Sequence, residues 1–179
     1  MSSSTENNEA EACRSPNCEF QQNLDNLRHI SIFSSLPLES LKVLAYLAVR
    51  ETYHAGDLLF HQGESDGQAF SILSGRATLL REHNGVETEL NSYEAGDFLG
   101  GLCLLGEMRR LFSLRADIEV EALVLTREKF VKTVEQFPDV LPRIMEAVVD
   151  EVRKWEKRFF FEHAESCDAC VRKVGVSLV

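Results

Sequence analysis

Residues 69–90 read Ala-Phe-Ser-Ile-Leu-Ser-Gly-Arg-Ala-Thr-Leu-Leu-Arg-Glu-His-Asn-Gly-Val-Glu-Thr-Glu-Leu, and this stretch decides the fold class. Two short apolar runs, Phe70–Leu73 and Ala77–Glu82, stand either side of Ser74-Gly75, and a third, Val86–Leu90, follows Asn84-Gly85. Asn-Gly is a strong hairpin signal, because a type I′ turn needs positive φ at both central residues and its twist matches that of paired strands. Outward from here the punctuation repeats. Ala55-Gly56-Asp57, Gly63 to Gly67 and Glu94-Ala95-Gly96-Asp97 separate further runs at Leu58–His61, Leu111–Ala116 and Val120–Thr126. Six or more short strands with no long helix between them predict an antiparallel β-roll, a jelly-roll-like sandwich, rather than a parallel sheet.

Helical patterns flank this region. Leu24 and Leu27 give a weak apolar face to a helix over about Phe20–Ile30. Pro37 suits the first turn of another, capped by Ser34 or Ser35 and running to about Val49 with Leu41, Leu44, Ala45 and Ala48 on one side. A third runs from Arg127 to about Phe137, where Pro138 breaks it. After Pro142 comes a long amphipathic helix whose Leu141, Met145, Val148, Val152, Trp155 and Phe159 recur at spacings of 4, 3, 4, 3 and 4. That heptad-like seam either packs on the chain's own roll or pairs with a second copy. The class is therefore α+β. The expected layout is a mobile acidic tail over 1–19, a roll with its N-terminal helices over 20–138, the long helix over 139–164 and a tail over 165–179.

Charge narrows the functions. Nineteen Lys and Arg against 29 Asp and Glu in 179 residues give a net −10, with residues 31–140 alone at −7 and residues 141–179 neutral. A nucleic-acid backbone is held by clustered cations, so no nucleic-acid partner is expected. The basic cluster Arg153, Lys154, Lys157 and Arg158 is balanced by Glu146, Asp150, Glu151 and Glu156 and reads as a solvated helix face. The longest nearly apolar run, Phe98–Leu105, is too short to span a bilayer, and the N-terminus is polar and acidic with no secretory pattern. A cytoplasmic protein without a membrane partner follows as the expectation, with its five cysteines as reduced thiols or metal ligands.

The segment with chemistry is Gly96-Asp97-Phe98-Leu99-Gly100-Gly101-Leu102-Cys103-Leu104-Leu105, followed by Arg109-Arg110-Leu111-Phe112. A glycine pair lets backbone approach a ligand that side chains would block. Amides at the start of the following turn and a guanidinium from Arg110 together suit a phosphate. The alternative is a surface arginine paired with Glu107 or Glu94, glycines that serve only a tight turn, and Cys103 as a buried small hydrophobe. The five histidines are scattered, and no Ser/His/Asp or Cys/His arrangement supports catalysis, so no enzyme is expected.

In its context this segment resembles the phosphate-binding cassette of the cyclic nucleotide-binding domain family, which includes regulatory subunits of cyclic-AMP-dependent kinase and sensor domains of catabolite-activator-type transcription factors. Gly100, Leu102, Leu104, Leu105, Arg110, Ser113, Arg115 and Ala116 match in register. The likeness extends to Ala55–Glu64, Ala69–Gly75 and Glu121–Leu125, spanning roughly Ile32 to Pro138. It implies that Arg110 neutralises the cyclic phosphate of cyclic AMP or cyclic GMP. Amides around Leu102 and Cys103 would complete the anion site, strands such as Phe70–Leu73 would enclose ribose and base, and the C-terminal helix would carry the signal to a downstream protein or a homodimer partner through residues 141–159.

Three departures stand out. The family's glutamate, which accepts a hydrogen bond from the ribose 2′-hydroxyl, is Gly101 here, a change worth about 10- to 100-fold in affinity. Leu111 and Phe112 replace small residues, and their bulk would fill part of the pocket. Arg109 stands where the family commonly has proline. Only about 20 residues follow the long helix, so no helix-turn-helix domain is expected after it.

The alternative function is a module of the same fold that has lost nucleotide recognition and serves protein interaction, metal binding or redox sensing. Cys167-Asp168-Ala169-Cys170 is a CxxC, and Cys13 and Cys18 form a looser pair; four thiolates would hold tetrahedral zinc, with His163 as a substitute ligand. The simpler reading is two unrelated pairs of reduced thiols.

Overall fold

A computed structural model describes residues 16–159 and residue 161. The order of elements is α1 (Pro16–His29), α2 (Leu38–Leu47), β1 (Val49–Tyr53), β2 (Leu58–Phe60), β3 (Gln68–Ser74), β4 (Arg76–His83), β5 (Val86–Glu94), β6 (Phe98–Leu99), α3 (Gly101–Leu105), β7 (Ser113–Ala116), β8 (Val120–Thr126), α4 (Arg127–Gln136) and α5 (Val140–Phe159). The strands form two antiparallel four-stranded sheets, in the orders β1-β8-β3-β6 and β2-β7-β4-β5. This is the expected β-roll flanked by helices.

Two cores share the first sheet. Facing the second sheet, Phe70 and Ile72 of β3 and Val120, Ala122 and Val124 of β8 pack with Leu59, Phe60, Ala77, Leu114 and Ala116. Alternate residues, Ala69, Leu123 and Leu125, point the other way and meet Leu27, Phe33, Leu44, Phe130, Val140 and Ile144 from the helical side. β3 and β8 are thus buried on both faces, which is why they read as continuous apolar runs rather than alternating ones. β5 is the opposite: nearly all of it is exposed. Asn84 and Gly85 both take positive φ, 54° and 76°, and close the β4–β5 hairpin as expected.

Several boundaries differ from the sequence reading. α1 begins at Pro16, inside the stretch assigned to a mobile tail. α2 starts after Pro37 with no side-chain cap; Ser34 and Ser35 play no such part, and Ser40 bonds back to the Pro37 carbonyl instead. It ends at Leu47, and Val49–Tyr53 turns straight into β1, paired with β8. Arg50 of β1 ties α1 down by donating to Asn23 (2.8 Å) and Gln22 (2.9 Å) while meeting Glu121 of β8 (3.2 Å). Pro142 lies within the first turn of α5 rather than before it, a position where its missing N–H costs nothing.

The expected seam of α5 is divided, since its Val148 packs against the helical-side core while other members do not. The helix buries Val140 and Ile144, whereas Leu141 (42% exposed) and Met145 (48%) face outward with Val149. Phe159 lies at the end of the helix, and its side chain is outside what is described. No helix among the described residues is long and apolar enough to cross a membrane.

Candidate functional site

The site grows from the junction of β6 and α3. Gly100 takes φ +81°, and a Cβ there would lie 2.7 Å from both the Gln68 carbonyl of β3 and Nη1 of Arg110. Only glycine fits that crossing. The chain then turns into α3, where the Cys103 amide donates to the Gly100 carbonyl (2.9 Å). The amides of Gly101 and Leu102 make no backbone hydrogen bond among the described residues, so these two are open to an anion. Of the expected pair, Leu102 and Cys103, the Cys103 amide is thus engaged within the chain.

Arg110 is 8% exposed, not a surface residue, and neither Glu107 nor Glu94 is its partner. Asp66, in the loop before β3, receives Nε (3.2 Å) and Nη2 (3.0 Å) on one oxygen and Nη2 (2.9 Å) on the other. Nη2 also donates to the Gln68 carbonyl at 2.6 Å. The guanidinium lies 4.1 Å over the ring of Phe60 and 5.6 Å from that of Phe70. These contacts hold one edge of the fork and its face, and leave Nη1 turned toward Gly100. A buried cation is stable only when paired and hydrogen-bonded, and this one is fixed before any ligand arrives.

All seven positions expected from sequence, 100–103 and 110–112, line one cavity of about 340 Å³. Its far wall comes from Phe60, Leu79 and Tyr93, with Phe98 and Leu99 beneath. Phe70–Leu73, expected to enclose ribose and base, does not line this cavity: Phe70 and Ile72 lie in the inter-sheet core, and Leu73 packs toward the helices. Phe112 lines the cavity without closing it, and Leu111 is 69% exposed at its rim. Arg109 is exposed; Cys103, at 5%, is the buried small hydrophobe expected.

Sequence reasoning missed Arg127. This first residue of α4 donates Nε to the Cys103 carbonyl (2.8 Å) and its backbone amide to Gly67 (2.7 Å), so it pins the cassette helix to the loop that carries Asp66. A second cavity, about 430 Å³, lies between the cassette and α5 and shares Phe98, Gly101 and Leu102 with the first; Val148, Val152 and Trp155 form its other side. Behind the site, burial, reinforced by its hydrogen bond to Glu51 and by the nearby carboxylates of Glu51 and Asp66, pushes the Tyr53 phenol far above its ordinary range.

Cys13, Cys167 and Cys170, with His163, lie outside the described residues, and Cys18, in the first turn of α1, is disulfide-bonded rather than a reduced thiol. No cluster of three metal-ligating side chains exists among the described residues.

A β-roll carries a glycine-turned helix and a buried arginine that converge on one open cavity. Residues 50–137 match the cyclic nucleotide-binding domain family. A cyclic nucleotide-binding-like protein from Brucella abortus is 30% identical, with a TM-score of 0.60 over 64% of this chain and 98% of that one. The chain belongs to this family. It is 34% identical over 119 residues to a cAMP-dependent protein kinase regulatory subunit from Emericella nidulans, covering 65% of this chain and 28% of the relative. It is 30% identical over 116 residues to a cGMP-dependent protein kinase from Caenorhabditis briggsae, covering 63% and 16%. The chain thus spans between 16% and 28% of the length of these two curated relatives. The catabolite activator protein of Thermus thermophilus shares the fold at a TM-score of 0.59 and 26% identity, over 72% of this chain and 61% of that one.

Proposed function

We propose that this chain is a regulatory sensor, not an enzyme, that binds cyclic AMP or cyclic GMP by its cyclic phosphate and passes the bound state through α5 to a separate protein. The observation that carries this reading is the approach of Arg110 Nη1 to Gly100, at the mouth of the open Gly101 and Leu102 amides and within one cavity. The phosphate would take those two amides and Nη1, and the base would lie toward Phe60, Leu79 and Tyr93. Its relatives include a cAMP-dependent kinase regulatory subunit and a cGMP-dependent kinase, which supports this ligand class.

The route outward is the second cavity. A cassette that tightens on phosphate moves Phe98 and Leu102, which face Val148, Val152 and Trp155 of α5. The exposed stripe Leu141, Met145 and Val149 on the same helix supports a homodimer through this face. Calorimetric titration with cyclic AMP and cyclic GMP tests the ligand: saturable binding that falls at least about 100-fold in Arg110→Ala is expected. No heat with either nucleotide at millimolar concentration contradicts it.

A further inference from the structure

β5 is the last strand of its sheet, and its outer edge has no neighbour among the described residues. It is nine residues long, and all of Val86–Ser92 is exposed. Such an edge offers a row of backbone N–H and C=O groups ready to pair with another strand. Its side chains alternate: Val86 (63% exposed) and Thr88 lie toward one face, Glu87 and Glu89 toward the other. Leu90, also exposed, falls at a bulge in the pairing with β4. On the acidic face a single cation, Arg115 of β7, meets both Glu87 (2.9 Å) and Glu89 (3.3 Å), so one negative charge of the three-residue cluster is left over.

The edge therefore fits a strand that is β-branched, alternating and basic. Two copies of β5 side by side would set Glu87, Glu89 and Glu94 against the same carboxylates, which is unfavourable. Outside the described residues, positions 1–15 carry Glu6, Glu9 and Glu11 against Arg14, and positions 162–170 carry Glu162, Glu165 and Asp168 with no Lys or Arg. Residues 171–179 differ: Val171-Arg172-Lys173-Val174-Gly175-Val176-Ser177-Leu178-Val179 holds four valines, two cations and no carboxylate. In an extended strand Val174, Val176 and Leu178 share one face, and Lys173 lies on the other. We infer that residues 171–179 add to the outer edge of β5 as a further strand of this sheet, with the Val174 face beside Val86 and Thr88 and Lys173 beside Glu87 and Glu89. The reach is sufficient. Residues 162–170 span up to about 30 Å when extended. Trp155 and Arg158, near the end of α5, line the second cavity, which adjoins through Gly101 and Leu102 the cavity that Tyr93 of β5 lines. The added strand would brace that wall.

The test is hydrogen exchange of the full chain, read amide by amide, against the same chain cut after Cys170. Alternate amides of an antiparallel strand face away from its partner, so the β5 amides not bonded to β4 report the added strand. They are expected to exchange at least about tenfold more slowly in the full chain at every protein concentration, while the β4-bonded set is unchanged. Val174→Pro with Gly175→Pro removes two adjacent amides, one of which faces β5, and should match the cut chain. Lys173→Glu should lose at least about twofold of the protection, and Glu89→Lys in the same chain should restore it. Equal exchange in the full and cut chains overturns the inference. So does protection that grows with protein concentration, which would make a second copy the occupant, and so does protection that falls only on another part of the molecule.

Discussion

The cassette and the α5 helix are both apolar segments with a basic residue nearby, yet among the described residues one is covered and the other is not. Around Arg110 every element has a partner: Asp66 and the Gln68 carbonyl hold the guanidinium, Phe60 lies under it, and Arg127 anchors the Cys103 carbonyl. What is left open there is polar and specific, two amides and one edge of a guanidinium. On α5, Val140 and Ile144 are satisfied by the roll, while Leu141, Met145 and Val149 are nearly half exposed. What is left open there is apolar and unspecific. The first suits a small anion, the second a protein surface. The regulatory sensor we propose would use both, and they meet at Phe98 and Leu102.

The comparison breaks most readily at Arg110. Arg110→Ala leaves the Asp66 carboxylate, 17% exposed, without its cation, and a loss of about 3–5 kcal/mol in denaturant unfolding is expected together with loss of ligand. Arg110→Lys keeps the charge but not the fork, and separates the two effects: most of the stability returns while affinity stays low. A variant as stable as the parent would show that the pair is not the buried frame described.

Next in size is Gly100→Ala, whose Cβ meets Arg110 Nη1 and the Gln68 carbonyl at 2.7 Å on a backbone of positive φ. A cost of about 1–3 kcal/mol is expected, with ligand affinity falling by more than the stability change explains. Arg127→Ala removes the bond to Cys103 and should cost about 1–2 kcal/mol, with amide exchange accelerating across residues 101–105 and little change in the β4–β5 hairpin. Equal acceleration everywhere would deny Arg127 its local role.

On the other side of the comparison, Val149→Glu should change stability by no more than about 0.5 kcal/mol, because the position is exposed. In light scattering it should convert a dimer to a monomer; a parent already monomeric at the same concentration would leave this face to a different protein.

The effect confined to alkaline pH is expected at Tyr53. Its raised phenol means the folded state keeps the proton where the unfolded state loses it. The corresponding stability is complete below about pH 10 and drains away as pH rises toward the folded value. In an alkaline titration the tyrosinate absorbance missing from Tyr53→Phe should appear only as the fold is lost.

Legibility followed the same divide. Strands between glycine turns were readable because turns demand particular residues, and Asn84-Gly85 does what its φ preferences dictate. β1 was not, since Arg50-Glu51-Thr52 is polar and follows α2 with no breaker; β6 is only two residues long. In the site, the cassette positions were legible from local spacing, but the partner of Arg110 was not. Asp66 lies 44 residues away, brought in by the pairing of β3, while Glu107 and Glu94 were nearer in sequence and wrong. Arg127 carried no signal, because its target is a backbone carbonyl. On α5 the heptad rule chose Leu141 and Met145, one residue from Val140 and Ile144, the positions the roll covers; a helix apolar on two sides does not say which side is inside.

In the proposed complex a cyclic phosphate sits on the Gly101 and Leu102 amides opposite Arg110. Amide nitrogen–proton NMR of the labelled chain titrated with cyclic AMP tests it directly. The largest shifts are expected on the Gly101 and Leu102 amides and the Arg110 guanidinium, moving together with one dissociation constant, and both amide shifts should vanish in Arg110→Ala. Saturable shifts confined to other parts of the molecule, with these groups unmoved, would contradict it.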